Sequence, residues 1–194
     1  MNHLAHFYLS CQDEDLLLGN FMTDFMTPKE IRLLPSHLIR GIELHKSIDQ
    51  FTDQHADVKK CVALLRPTQK KYSPVVLDIL FDYFLIKNWS LYSNEPFILF
   101  KERIYRMLVL NTEFFPEKLK TLLPIMIDDD FLMSCCNEER LNKTFERLNK
   151  RAHFSNSFDS VTNDLKIHHI ALEGYFLSFF PDLIKHVQPF CDCK

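Results

Sequence analysis

Glycine is scarce in this chain, which has only Gly19, Gly41 and Gly174 among its 194 residues. The alternation of apolar and polar residues that marks β-strands is nearly absent as well. Apolar residues recur instead at spacings typical of one helix face. These features predict an all-α fold. The length favours a single compact helical domain over residues 1–190, followed by a short tail at 191–194.

The sequence also lacks the segments that would direct it to a membrane. No apolar run reaches about 18 residues, and the start has no basic, apolar leader. The net charge of −3 is too small to indicate nucleic acid or a membrane as a partner. We therefore expect a cytoplasmic protein that binds neither. The six cysteines show neither C-x-x-C pairs nor the density of a secreted scaffold, which predicts free thiols.

One helix is predicted to lie at the centre of the fold. Ser73 and Pro74 form an N-cap followed by a first-turn proline, and the run VVLDILFDYFLIKNW after them is apolar on nearly all sides as far as Trp89. Prolines are expected to mark the turns between helices, Pro67 and Pro181 among them. Further helices are predicted near residues 2–10, 12–26, 36–53, 56–66, 95–112, 117–124, 128–135, 137–150, 160–179 and 181–188.

Two of these helices carry acidic side chains beside apolar residues. Asp78 and Asp82 lie one turn apart, and His45, Asp49 and Asp53 follow one another at four-residue intervals in GIELHKSIDQFTDQH. An ionised carboxylate in an apolar setting costs many kcal/mol unless it is paired, protonated or bound to a cation. We therefore predict that the two acidic stripes share one site.

Asp24 in GNFMTDFM and His6 in NHLAHF add a further carboxylate and a further imidazole. Imidazoles together with carboxylates suit Mn²⁺, Fe²⁺, Mg²⁺ or Zn²⁺, and in helical proteins such clusters project inward from facing helices. Two alternatives to a metal stay open from the residues alone. A single His/Asp pair is more often solvated or part of a satisfied core hydrogen bond. A buried ion pair with Lys or Arg accounts for Asp78 and Asp82 as well as a metal does.

Four ordered stretches resemble the acyl carrier protein phosphodiesterase family, whose members resemble metal-dependent HD-domain hydrolases. The stretches are NHLAHFYLS, GNFMTDF, GIELHKSIDQFTDQH and YSPVVLDILFDYFLIKNWS, and ALEGYFLSFFPDL follows near the C-terminus. The resemblance implies an HD-domain-like helical enzyme. Its implied reaction is hydrolysis of the phosphodiester that joins 4'-phosphopantetheine to a serine of holo-acyl carrier protein. Tyr83 departs from the pattern, because the family usually has histidine there.

The resemblance also implies a divalent metal, with Mn²⁺ expected first. A phosphodiester is anionic, so a Lewis acid that neutralises its oxygens and lowers the pKa of an attacking water fits the reaction. The predicted metal ligands are Asp24, His45, Asp49 and Asp82. The residues predicted to activate water, protonate the leaving group or support the ligands are His6, Asp53 and Asp78. The residues expected to orient them are Asn20 and Thr52.

The segment VKKCVALLRPTQKKY, residues 58–72, carries basic side chains and no acid. These basic residues are Lys59, Lys60, Arg66, Lys70 and Lys71. Since acyl carrier proteins are strongly acidic, we predict that the segment docks the carrier protein and acts on the encounter rate and KM. A solvated helix face accounts for the same charges equally well.

Two other functions stay open from the sequence. An HD-like phosphohydrolase acting on another phosphodiester or a nucleotide would use the same metal site with a different pocket. A helical binding module that has lost catalysis would agree with Tyr83. The sequence predicts neither the oligomeric state nor the metal that is bound.

Overall fold

The computed structural model describes residues 1–191, and within that range the chain is helical and contains no strand. The all-α prediction is therefore confirmed. The α-helices are α1 (His3–Tyr8), α2 (Glu14–Met22), α3 (Pro28–Ile31), α4 (Ser36–Gln54), α5 (Ala56–Gln69), α6 (Ser73–Lys87), α7 (Phe97–Leu110), α8 (Glu117–Asp128), α9 (Glu138–Arg151) and α10 (Val161–Val187). Short 3₁₀ turns lie at Thr23–Phe25, Lys70–Tyr72, Trp89–Leu91, Thr112–Phe114, Phe131–Met133 and Phe158–Ser160. In this part of the chain, every helix is too short or too polar to cross a membrane.

The central position predicted for α6 is also confirmed. Leu80, Phe81 and Phe84 of this helix are fully buried. The ring of Phe81 packs against Phe176 and Phe179 of α10, each with ring centres 5.4 Å apart. Aromatic pairs at this distance contribute packing energy beyond the area they bury. α6 and α10 therefore pack against each other within a core to which the other long helices also contribute.

Three predictions about helices were wrong. α5 continues through Pro67 to Gln69. α10 continues through Pro181 instead of breaking there. Proline in a helix interior costs about 3 kcal/mol, but Phe180 and Leu183 on either side of it are fully buried, so tertiary packing outweighs the local cost. The helix predicted near 128–135 is replaced by a turn, because Asp130 is left-handed with φ of 51° and only a single 3₁₀ turn follows.

The helices α2 and α4 cross in direct backbone contact at two glycines. A Cβ atom added to Gly41 would lie 2.5 Å from the carbonyl oxygen of Leu16 and 2.7 Å from the Cα atom of Gly19. No side chain fits at such distances, so the crossing depends on glycine at this position. As a result Asn20, next to Gly19 on α2, lies against His45 of α4.

A disulfide joins Cys11, in the turn before α2, to Cys191, after the end of α10, and their Cα atoms lie 6.1 Å apart. The prediction of free thiols was wrong for these two residues, because partners 180 residues apart in sequence meet only in the folded chain. The cysteines that are free are Cys61, Cys135 and Cys136. Cys193 lies outside the described residues.

Candidate metal centre

Two buried imidazoles, His6 of α1 and His45 of α4, stack with ring centres 4.3 Å apart. Asn20 determines which nitrogen of each ring carries the proton. Its amide nitrogen donates to the carbonyl oxygen of His6 at 3.0 Å and to the hydroxyl of Ser10 at 3.1 Å. Its side-chain oxygen, which only accepts, is 2.8 Å from Nδ1 of His6 and 3.1 Å from Nδ1 of His45. Each Nδ1 therefore donates, and each Nε2 carries a lone pair while its ring is neutral.

Both Nε2 atoms face carboxylates. Asp49, one turn after His45 on α4, places its oxygens 3.1 Å from Nε2 of His45 and 3.3 Å from Nε2 of His6. Asp24, in the turn after α2, is exposed and has one oxygen 3.4 Å from Nε2 of His45. Lone pairs and carboxylate oxygens repel one another at these distances. The arrangement requires a positive charge between them, carried by a proton or by a metal ion.

The charge states of this cluster fit a metal ion. The ligand atoms of His6, His45 and Asp49 all lie within 4.8 Å of one another. Nε2 of His6 is buried and has no hydrogen-bond partner among the described residues. Burial lowers the pKa of His6, so its ring is neutral at neutral pH and does not supply the charge. Burial acts to raise the pKa of Asp49, but the neighbouring side chains of His45 and His6 and the amino group of Met1 outweigh it and hold that pKa well below its usual range.

The amino group of Met1 and the carboxylate of Asp78 lie beside this cluster. The amino nitrogen is 3.3 Å from Oδ1 of Asp49 and 3.3 Å from Oδ1 of Asp78. Burial raises the pKa of Asp78, and the nearby amino group only partly opposes that effect. Asp78, predicted to act in catalysis, is thus a neighbour of Asp49 through a shared cation.

Asp82, predicted as a metal ligand, is buried at the start of α1, where its oxygens accept hydrogen bonds from the backbone N–H groups of Leu4 at 3.2 Å and Ala5 at 3.3 Å. The side chain of Asn2 makes no capping bond there, so Asp82 takes its place. Burial raises the pKa of Asp82 to about 7, although both backbone bonds lower it. Asp82 is therefore placed to hold α1, and with it His6, against α6.

His3 is a residue of this site that we did not predict. Its Nδ1 lies 3.6 Å from an oxygen of Asp24, and its ring stacks on Phe25 with centres 5.9 Å apart. Burial lowers the pKa of His3 to about 4, against the opposing effect of Asp24. Its position three residues before His6, on the same face of α1, is the signal that would have identified it.

Of the other predicted residues, Asp53 is exposed and lines a groove next to the cluster, together with Lys59 and Arg66. The hydroxyl of Thr52 donates to the carbonyl oxygen of Ile48 at 2.8 Å. Thr52 therefore bonds to its own helix, and Asn20 is the residue that orients the imidazoles.

The basic segment does not form one continuous surface. Lys60 pairs with Asp57 at 2.8 Å and lies over the ring of Tyr175. Lys71 lies 3.1 Å from the ring centre of Phe154. Lys70 begins the turn after α5 with a left-handed φ of 51°. Two of the five predicted basic residues line the groove, and the rest point elsewhere or lie at the turn.

Tyr83 contacts the other side of the core. Its ring lies 5.2 Å from that of Phe84 and 6.3 Å from that of His169 in α10. The preceding residue, Asp82, faces α1 instead. The position where the resemblance predicts histidine is therefore not part of the cluster formed by His6 and its neighbours.

Comparison with known proteins places these residues in one family. The sequence model of the family described as acyl carrier protein phosphodiesterase matches residues 1–183. An acyl carrier protein phosphodiesterase of Klebsiella pneumoniae (strain 342) is 27% identical over 186 residues, covering 95% of this chain and 96% of the relative. One of Yersinia pestis is 26% identical over 193 residues, covering 97% and 98%. No solved structure matches the chain.

Proposed function

Because the chain belongs to the acyl carrier protein phosphodiesterase family and is thus a phosphodiester hydrolase, we propose that it releases 4'-phosphopantetheine from the serine of holo-acyl carrier protein. The observation that carries this proposal is the cluster of two buried imidazoles, His6 and His45, with the partly exposed Asp49, inside the part of the chain that the family matches. A cytoplasmic location stays a prediction.

We assign His6, His45 and Asp49 as the residues that would hold a divalent metal, with Asp24 beside them. A divalent cation bound there would neutralise phosphodiester oxygens and lower the pKa of an attacking water. Mixed imidazole and carboxylate ligands suit Mn²⁺, Fe²⁺ or Zn²⁺, and we propose Mn²⁺ first. The geometry favours exchanging two roles predicted from the sequence, with His6 as a ligand and Asp82 as the support of α1.

The remaining residues of the site are suited to moving protons. Asp24 is exposed and close to His45, so its carboxylate is placed to accept a proton from water, and His3 orients it. Asp78 lies beside the cluster through the amino group of Met1, and burial shifts its pKa upward, the direction that a group protonating the leaving serine oxygen needs. Asn20 keeps Nε2 of both imidazoles directed at the cluster.

The test is a mass-shift assay that follows conversion of holo- to apo-acyl carrier protein with added Mn²⁺ or EDTA. We expect conversion with Mn²⁺, none with EDTA, and a loss of several orders of magnitude in Asp49→Asn. Asp159→Asn, an exposed residue outside the cluster, serves as the matched control. Cleavage of a small phosphodiester without conversion of the holo-protein would instead support the other phosphohydrolase function.

We also propose that Lys70 and Lys71, at the turn between α5 and α6, attract the acidic carrier protein. Attraction between exposed charges is screened over about 8 Å at physiological ionic strength, so the effect should be visible mainly at low salt. Changing both lysines to Glu should raise KM at low salt and leave kcat unchanged. The same double change at Lys118 and Lys120 of α8 is the control, and an equal effect there would contradict a specific dock.

A further inference from the structure

A groove of about 470 Å³ lies between the end of α4, α5 and the start of α6. Pockets that bind small molecules commonly have volumes of roughly 300 to 1,000 Å³, with apolar walls and a few polar groups. The walls of this groove are apolar at positions such as Leu77. Its charged groups are Lys59, Arg66, Asp53 and Asp78. Neither the likeness to relatives nor the chemistry of the cluster assigns it a role.

One end of the groove lies at Asp78, beside the cluster of His6, His45 and Asp49. Asp78 lines the groove, and its Oδ1 lies 3.3 Å from the amino group of Met1, which is itself 3.3 Å from Oδ1 of Asp49. Pro74 lies one turn before Asp78 on α6 and also lines the groove. The groove therefore extends from Asp78 along α6 toward the turn that joins α5 to α6.

The two cations of the groove are available to a ligand. Lys59 and Arg66 are exposed, lie two turns apart on one face of α5, and form no ion pair with any residue in the range 1–191. Between these two cations, the groove is lined by the uncharged side chains of Val62 and Ala63. A ligand that fits is therefore a narrow chain with apolar segments and several hydrogen-bond acceptors.

We propose that this groove binds the pantetheine arm of the substrate while the phosphodiester lies at the metal cluster, an inference that rests on the proposed function. The arm is a linear chain of methyl, methylene and amide groups, attached to the phosphodiester at one end. Its apolar parts match the walls, and its carbonyl oxygens accept hydrogen bonds from the Lys59 and Arg66 side chains. The carrier protein stays outside, because a groove of this size admits a chain and not a folded domain.

Ala63→Trp tests the groove, because Ala63 is an exposed residue of α5 that lines it. We expect KM for the holo-protein to rise by about tenfold with little change in kcat, since the arm contributes binding in both ground and transition states. Inhibition by 4'-phosphopantetheine should weaken to the same extent. The rise in melting temperature on adding Mn²⁺ should not change, and Ala63→Leu should show a smaller effect in the same direction.

Ala171→Trp, at an exposed position of α10 outside the groove, is the matched control. Apo-acyl carrier protein, which has no arm, is the second inhibitor. If Ala63→Trp leaves KM unchanged, or weakens inhibition by the apo-protein as much as inhibition by 4'-phosphopantetheine, the arm does not bind there. A wild-type protein that converts no holo-protein with any divalent metal overturns the proposed function instead, so the two failures are distinguishable.

Discussion

Carboxylates on apolar helices serve two different purposes in this protein. Asp49 faces the imidazoles of His6 and His45, where negative charge is suited to holding a cation. Asp82 accepts two backbone hydrogen bonds at the start of α1, where the helix dipole favours negative charge. We therefore expect substitutions at Asp49 and Asp82 to affect stability and metal binding differently.

We expect Asp82→Asn to lower the free energy of unfolding by about 2 to 3 kcal/mol, because an amide offers one oxygen acceptor in place of two and leaves a backbone N–H group unpaired. That loss should be the same with EDTA and with Mn²⁺. Asp49→Asn should instead abolish most of the metal-induced rise in melting temperature, since a metal stabilises only as far as it binds the folded state. Thermal melts of both variants under both conditions measure this. If Asp82→Asn has normal stability in EDTA but no longer gains melting temperature on adding Mn²⁺, Asp82 is a metal ligand after all.

The sequence predicted part of this site because some of its contacts are local. His45 and Asp49 lie together because both belong to α4 and are one turn apart. Asp82 shows the same spacing relative to Asp78, but its partners come from α1, 78 and 77 residues away. Four-residue spacing shows that two side chains share a face and does not show which element packs against it. His3 was missed for the same reason.

Tyr83 stands where the resemblance predicts histidine, and its position indicates what placing histidine there would do. Its ring lies beside His169 of α10 and apart from the cluster of His6, His45 and Asp49, so Tyr83→His should change kcat/KM for the holo-protein by less than about twofold. Steady-state kinetics with the mass-shift assay measure it. A large gain in turnover would show that this side chain reaches the site, and would favour an impaired enzyme as the wild-type state.

At the scale of elements, local patterns predicted the helices whose ends carry local signals. The prediction of residues 36–53 agrees with α4, Ser36–Gln54, because Pro35 precedes the helix. α10 was predicted in two pieces, since the burial that carries it through Pro181 is a property of its packing. The close approach of α2 and α4 also depends on tertiary structure, although both glycines that permit it are visible in the sequence.

Gly41→Ala should separate α2 from α4. Its methyl group would overlap the backbone at Leu16 and Gly19, so we expect a loss of about 2 to 4 kcal/mol of stability. Metal affinity should fall as well, because Asn20 moves away from His45. Gly174→Ala is the matched control, since no atom lies within 4 Å of its added methyl group and alanine should stabilise α10 by about 0.5 to 1 kcal/mol. Chemical denaturation measures both changes, and equal losses would contradict the tight crossing.

At the scale of the whole molecule, composition predicted the fold class. The arrangement of the helices depends instead on contacts between residues far apart in sequence. Scarce glycine and helical spacing were enough to predict an all-α chain, and residues 1–191 agree. The HD-domain-like arrangement and the boundary at residue 190 stay predictions. The order in which helices pack is set by contacts such as those between Phe81 of α6 and Phe176 of α10, which no local pattern specifies.

The disulfide between Cys11 and Cys191 connects the N-terminal helices of the site to the end of α10. A cross-link over a long loop limits the unfolded chain and typically contributes about 2 to 4 kcal/mol. In protein prepared without reductant, we therefore expect dithiothreitol to lower the melting temperature by about 4 to 16 °C. Cys191→Ser should show the lowered value with and without reductant, whereas Cys136→Ser, which changes a free and half-buried thiol, should keep the shift. Peptide mapping under non-reducing conditions identifies the pair. A melting temperature that does not respond to dithiothreitol, with Cys11 and Cys191 unlinked in the map, would show that the two sulfurs are neighbours without a bond.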